Sequence, residues 1–338
     1  MYVDVALDSI ITYAITVGAS DIHFDPILNG IQVRLRIDGL LTEYMLVDAT
    51  DADMLVNRIK VFSSMDISEK RLPQDGRWEW SVKSYAVTMR VSSLPSLYGE
   101  AIVCRLMGNE GVHKNLLELG MDVELQEKIA VLLKRPYGLI TICGPTGSGK
   151  TATLYAMLRM LNLKETKLIC LEDPVEATIE GAIQIGINEK IGFTFSKGLR
   201  TVLRQDPDSI MIGEIRDNET AQLAVKAALT GHRVITTVHT NTALGVIGRL
   251  VDMGVEPYLL HATLIGSLSQ RLVRRIDSTT HSYQGRLGLF EYLEIPFSDI
   301  DWDHVEQYMF TSLQDSAHLA INSGITTLEE VHRAGILL

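Results

Sequence analysis

Apolar residues at Val3, Leu7, Ile10, Ile11, Ala14 and Val17 recur at helical spacing, and Gly18 stands where such a helix would stop. Over residues 31–37 the period shortens to two. Ile31, Val33, Leu35 and Ile37 alternate with Gln32, Arg34 and Arg36, which predicts a half-buried strand. Asp38-Gly39 then turns the chain into a second strand over 40–47. A helix is expected over 51–65, and strands over 77–82, 85–92 and 100–106. Residues 1–108 therefore read as an α+β domain with a mostly antiparallel sheet.

The polar stretch that follows, 109–118, is expected to be a linker. Beyond it the texture changes. Short apolar runs occur at 138–143, 167–171, 209–212 and 233–238, several of them separated by helix-like stretches. Buried runs alternating with helices predict an α/β domain over 119–338, a parallel sheet with helices on its faces and a helical region at the C-terminal end. The length of 338 residues fits this division, at roughly 100–200 residues per domain.

Composition narrows the partners. Asp and Glu number 42 against 31 Lys and Arg, a net charge of −11, which argues against direct binding of nucleic acid through its phosphates. Cys104, Cys143 and Cys170 lie far apart and form no CxxC pair, so neither a disulfide framework nor a four-thiolate zinc site is expected, and a reduced, cytoplasmic compartment is the simpler reading. The N-terminus has no basic region before its apolar residues, unlike a secretory signal. No apolar run approaches the about eighteen residues of a spanning helix. Membrane association is expected to be peripheral, through a partner.

Residues 144–151, Gly144-Pro145-Thr146-Gly147-Ser148-Gly149-Lys150-Thr151, satisfy the phosphate-loop pattern GxxxxGK[ST]. A strand candidate (139–143) precedes the motif and a helix candidate (151–161) follows it. Glycines let successive backbone N–H groups turn toward phosphate oxygens, and the helix N-terminus adds partial positive charge. Lys150 can reach the β- and γ-phosphates of ATP, and the Thr151 hydroxyl is a natural Mg²⁺ ligand.

The next three strand candidates end in chemistry as well: Glu172-Asp173-Pro174-Val175-Glu176, Gly213-Glu214-Ile215-Arg216-Asp217, and His239-Thr240-Asn241. In open parallel sheets the ligand crevice lies at the carboxyl ends of the strands, so these clusters are expected at one edge. One carboxylate can polarise an attacking water and another can hold Mg²⁺. A cap or turn is the plain alternative for Asp173. Arg200 and Arg204 are four apart and are expected to share a helix face, either as a solvated edge paired with Asp206 or Asp208 or as a clamp on the nucleotide. His232 and His239 fall on opposite faces of one strand, about 23 Å apart, so they cannot share a metal; His232 reads as structural.

Together these segments resemble the ATPase family that drives type II secretion and type IV pilus assembly. The resemblance also rests on Gly18-Ala19-Ser20-Asp21-Ile22-His23, Arg36-Ile37-Asp38-Gly39, Arg71-Leu72-Pro73-Gln74-Asp75-Gly76-Arg77, Leu203-Arg204-Gln205-Asp206-Pro207-Asp208 and Gly231-His232. It implies a PAS-like N-terminal domain joined to a RecA-like ATPase domain, a homohexamer, and ATP bound between the domains. It further implies Glu176 as the water-activating carboxylate with Glu172 as its rival, Glu214 beside Mg²⁺, His239 as a sensor, and Arg77, Arg90, Arg200 and Arg204 as phosphate-contacting arginines. The partners implied are an inner-membrane platform protein and, through it, pilin-like subunits, with the chain on the cytoplasmic face of the membrane.

Many assembly members carry a further N-terminal domain, and many have a tetracysteine zinc motif after a QRLxRR segment. This sequence starts at the PAS-like domain, and Gln270-Arg271-Leu272-Val273-Arg274-Arg275 is followed by Ile276-Asp277-Ser278 without cysteine. No zinc is expected. Both features resemble the short competence ATPases of Gram-positive bacteria, which implies assembly of a pseudopilus for DNA uptake. A retraction motor, a nucleotide-gated scaffold with little turnover and a DNA-pumping ATPase are the competing readings.

Overall fold

The structure, a computed structural model, describes residues 3–82, 85–107, 111–296 and 300–338. The chain divides into two units, Met1–Glu110 and Gly111–Leu338. In the first, α1 (Val3–Thr16) leads into β1 (Ala19–Ile27), β2 (Gly30–Ile37) and β3 (Leu40–Asp48), then α2 (Ala49–Phe62), β4 (Gln74–Val82), β5 (Tyr85–Ser96) and β6 (Gly99–Met107). The six strands form one antiparallel sheet in the order β3-β2-β1-β6-β5-β4. Alternation puts Ile22, Phe24, Val33, Leu35, Met89 and Ile102 on one face, where they form a core with Leu7, Ile10 and Ile11 of α1 and Leu55 and Ile59 of α2. The other face is polar. A single cross-strand row there runs Arg77, Arg90, Arg105, Asp21, Arg36.

Strand β1 was not among the elements expected from the sequence. Its alternation of Ile22 and Phe24 with Asp21, His23 and Asp25 is only five residues long and runs into Pro26. The helix expected over 51–65 begins at Ala49 and stops at Phe62, where the Ser63 N–H bonds back to Ile59 O. Gly108, Asn109 and Glu110, at the domain end and start of the expected linker, lie outside the described residues. Residues 111–118 are not a solvated tether. Val112 and Leu116 are buried in a core of the second unit, because this stretch carries its own apolar anchors.

The second unit contains α3 (Val123–Leu132), β7 (Gly138–Cys143), α4 (Lys150–Arg159), β8 (Leu168–Glu172), β9 (Ile183–Gly186), α5 (Phe195–Val202), β10 (Ser209–Ile212), α6 (Asn218–Leu229) and β11 (Arg233–Val238). After these come α7 (Gly245–Asp252), α8 (Pro257–Thr263), β12 (Leu264–Ile276), β13 (Tyr283–Glu294), β14 (Met309–Thr311), α9 (Leu313–Asn322) and α10 (Leu328–Arg333). The sheet order is β14-β13-β12-β7-β11-β10-β8-β9, parallel from β12 to β9. Its four central strands are almost entirely buried, as their unbroken apolar runs require. Leu139, Ile169, Ile210 and Val234 pack on one face with α5 and α6. Ile140, Cys170, Met211 and Ile235 pack on the other with α3 and α4.

The C-terminal region, expected to be helical, first contributes the long antiparallel pair β12–β13. Its helices α9 and α10 then close a small core on Val273 and Leu289. The sequence signal for β12 is weak because polar residues in Ser267-Leu268-Ser269-Gln270-Arg271 are buried in the sheet and interrupt the apolar pattern.

Candidate active site

Register brings the strand ends together. Ile212 pairs with Leu171 on one side and Thr236 on the other, and Thr236 pairs with Thr141. The segments after β7, β11, β10 and β8 therefore leave one edge side by side. They carry the loop 144–149, His239, Glu214 and the 172–176 acidic box.

The loop after β7 depends on its glycines. Gly144 has φ +143°, Gly147 +77° and Gly149 +89°, all in the region L side chains avoid. A Cβ on Gly144 would also lie 2.6 Å from both Gln270 O and Ser148 Oγ. The chain then enters α4 at Lys150, one residue before the helix start expected at 151. Lys150 is buried, and its Nζ donates to Gly144 O at 2.8 Å and Pro145 O at 2.9 Å. Burial pulls its pKa down, opposed by the nearby carboxylate of Glu214. Ser148 Oγ is buried without a hydrogen-bond partner among the described residues. An orphan hydroxyl, a desolvated ammonium and a helix N-terminus fit a phosphate chain. Pro145, Thr146 and Gly147 form the exposed rim of this loop, and Thr151 is exposed on the first turn of α4.

Glu214 follows β10 and is 18% exposed. Its Oε2 lies 3.4 Å from His239 Nε2, and its Oε1 accepts from Arg216. Two bonds from β11 fix this segment: Thr237 Oγ1 donates to Gly213 O at 2.6 Å, and Ile215 N donates to Thr237 O at 3.0 Å. The neighbouring loop 239–243 is laced from β12 and β13. Arg271 Nη2 donates to Asn241 O at 2.8 Å, Ser269 Oγ to the same carbonyl at 3.2 Å, and Ala243 N to Glu291 Oε1 at 2.5 Å. Gln270 accepts from Thr153 Oγ1 at 2.6 Å, tying β12 to α4.

The acidic box divides its two glutamates sharply. Glu172 is 3% exposed; its Oε2 accepts from the Tyr155 hydroxyl and its Oε1 from Gln184 Nε2 at 2.9 Å. Burial raises its pKa, with these hydrogen bonds opposing. Glu176 is exposed, and its backbone N–H donates to the Tyr155 hydroxyl at 3.2 Å. Glu172 is thus enclosed and hydrogen-bonded through both oxygens, and Glu176 is exposed. Asp173 is exposed in the turn between them, and Asp217 caps α6 through Thr220 N at 2.8 Å.

The arginines fall in two pairs, one in each unit. Helix α5 ends at Val202, so Arg204 lies beyond the helix face it was expected to share; the turn at 203–206 leads the chain into β10. Its Nη1 donates to Arg200 O at 2.9 Å, and Arg200 pairs with Glu219 at 2.6 Å instead of Asp206 or Asp208. Asp208 accepts from Lys167 N at 2.6 Å. In the first unit Arg77 and Arg90 stand opposite each other on β4 and β5, and Arg77 lies 3.6 Å from Glu79. His232 sits before β11 with Nδ1 2.9 Å from Ala227 O. The sequence reading did not single out Tyr155, Gln184, Glu291 or Arg271 for a role at the site. Arg271 and Gln270 stand in the QRLVRR segment, which served there only as a landmark.

Comparison with known proteins adds the family. A model described as type II/IV secretion system protein matches residues 2–333. The chain belongs to the type II/IV secretion ATPase family. It is 50% identical over 270 residues to type II secretion system protein E of Klebsiella pneumoniae, covering 80% of this chain and 54% of that relative. It is 40% identical to type II secretion system ATPase E of Vibrio cholerae, covering 97% of this chain and 74% of the relative. Against the pilus retraction motor PilT, solved with bound ADP, the TM-score is 0.68 at 29% identity, covering 96% of this chain and 95% of that one. The chain spans about half the length of the first of these relatives. Its α/β fold is that of secretion ATPases.

Proposed function

We propose that the chain is an ATP-hydrolysing motor subunit that drives assembly of pilin-like subunits. The observation that carries this reading is the alignment of the phosphate loop, His239, Glu214 and the acidic box along one sheet edge. Loop N–H groups and Lys150 hold the phosphates, with the buried Ser148 hydroxyl as a further donor. Glu176 takes a proton from water as its oxygen attacks the γ-phosphorus, and the bond to the β,γ-bridging oxygen breaks. Thr151 and Glu214 are the residues suited to hold Mg²⁺, which supplies charge stabilisation to the departing phosphates. His239 reports the state of Glu214. Arg77, Arg90, Arg200 and Arg204 are proposed as phosphate-contacting arginines, and the ion pairs that Arg77 and Arg200 make with Glu79 and Glu219 would have to open for that contact.

Secretion ATPases of this kind work as hexamers beneath an inner-membrane platform protein, and we propose the same partners here, with attachment to the cytoplasmic face through them. Among the described residues no helix is long and apolar enough to cross a membrane. The relatives' names favour type II secretion as the setting. The cysteine-free segment after QRLVRR supports the finer reading, a competence pseudopilus for DNA uptake. Likeness to the retraction motor PilT supports a second reading, filament retraction. Phosphate release by the parent, Lys150→Ala and Glu176→Gln tests the common core. Loss of release in both variants is expected, and equal rates in all three overturn it. Co-purification from membranes then identifies the platform protein and with it the machine.

A further inference from the structure

Tyr155 lies on α4, on the helix that the phosphate loop opens, and its side chain is fully buried. One hydroxyl makes three contacts. It donates to Glu172 Oε2 and accepts from the N–H groups of Glu176 at 3.2 Å and Ala177 at 3.3 Å. Glu172 is held from its other oxygen by Gln184, whose Nε2 also donates to Ala177 O at 2.8 Å. Gln184 Oε1 in turn accepts from Ile179 N at 2.8 Å. The loop bearing Glu176 is therefore fastened at 176, 177 and 179, and the Tyr155 hydroxyl links it to α4.

We propose that Tyr155 is a positioning residue for hydrolysis, fixing the Glu176 backbone relative to the phosphate loop through its hydroxyl. This rests on the reading of Glu176 as the base. The chemistry explains why a phenol and a buried carboxylate are used together. A hydroxyl that must accept from two backbone N–H groups needs an acceptor for its own proton, and Glu172 Oε2 is that acceptor. Burial raises the pKa of the phenol, and the adjacent Glu172 raises it further, so the proton stays on Tyr155 and the direction of the bond is fixed. An exposed glutamate on a solvent-facing turn is thereby tied to a fully buried anchor. A displacement of about 1 Å between base and substrate is enough to cost about a hundredfold in rate.

Tyr155→Phe removes the hydroxyl and keeps the ring volume, so packing of α4 is preserved. In the full chain, well below its thermal midpoint, kcat is expected to fall about ten- to a hundredfold, while the dissociation constant for a fluorescent ATP analogue stays within about threefold. Hydrogen exchange is expected to quicken in peptides covering 173–179 and to stay unchanged in those covering β7 and β10. A kcat within about twofold of the parent, an equal loss of nucleotide affinity, or unaltered exchange at 173–179 overturns the proposal. Lys150→Ala and Glu176→Gln run beside it separate the two levels. If neither lowers phosphate release, the hydrolysis reading itself fails; if both do and Tyr155→Phe does not, only the positioning role fails.

Discussion

His239 Nε2 lies 3.4 Å from Glu214 Oε2, across the ends of the adjacent strands β11 and β10. The imidazole is about half exposed and the carboxylate mostly enclosed. Removing His239 leaves the hydrogen bond from Arg216 to Glu214 in place and takes away the imidazole contact. His239→Ala is expected to lower turnover about a hundredfold with little change in nucleotide affinity. Steady-state phosphate release together with equilibrium binding of an ATP analogue checks this. A parallel loss of binding would place His239 in ground-state recognition instead.

Arg271 reaches the same loop from behind. It is buried in β12, and its two terminal nitrogens donate to different carbonyls, Nη1 to Gln270 O at 3.0 Å and Nη2 to Asn241 O at 2.8 Å. A lysine keeps the charge and cannot reproduce that fork. Arg271→Lys is expected to slow turnover about tenfold and to raise hydrogen exchange across 239–243. The control is the first unit, whose exchange should be untouched.

Lys60 and Glu100 form a 2.8 Å ion pair in the first unit, with side chains 0% and 4% exposed. Lys60 also donates to Glu69 O, and Glu100 accepts from Ser93 Oγ. Glu100→Ala strands the ammonium in a dry core and is expected to cost about 3–5 kcal/mol. The double change Lys60→Met with Glu100→Leu removes both charges and should recover more than half of that loss. Denaturant unfolding read by tryptophan fluorescence measures it, since Trp78 and Trp80 are both buried in this unit. A double variant as unstable as the single one would show that the pair carries more than charge compensation.

Legibility followed whether a residue's role is local or long-range. The phosphate loop, the strand ends and the helix that follows are local, because glycine spacing and unbroken apolar runs specify them within a few residues. The parallel core was readable from 138–143, 167–171, 209–212 and 233–238 for that reason. Strand β12 was not, because Ser269, Gln270 and Arg271 are buried through partners far away in sequence, such as Thr153 and Asn241. The different surroundings of Glu172 and Glu176 were equally hidden. They come from Tyr155 and Gln184, two residues that look like ordinary core and strand positions until their hydrogen bonds are seen. Arg204 illustrates the reverse error. Spacing of four suggests a shared helix face only while the helix lasts, and α5 stops two residues short.

Glu330 gives the C-terminal helices a pH dependence whose sign can be worked out. Its side chain is 2% exposed and accepts from Arg274 and from Arg333 Nη2 at 2.7 Å, joining α10 to β12. Burial alone would raise its pKa. The hydrogen bonds from Arg274 and Arg333 outweigh that and hold it down at about 2, against 4.5 for a free glutamate. A carboxyl with a depressed folded-state pKa stabilises the fold above the unfolded value and loses that contribution as pH falls from about 4.5 toward 2. The shift corresponds to at most about 3.5 kcal/mol. Glu330→Gln lacks the titration. Its melting temperature should therefore lie below the parent's by a constant amount above about pH 5, with the gap closing as pH falls through the window between the two values. Melting curves from pH 7 to 2 on both proteins measure this, and a gap that stays constant to pH 2 would assign the stabilisation to packing of α10 instead of to the ionised carboxylate.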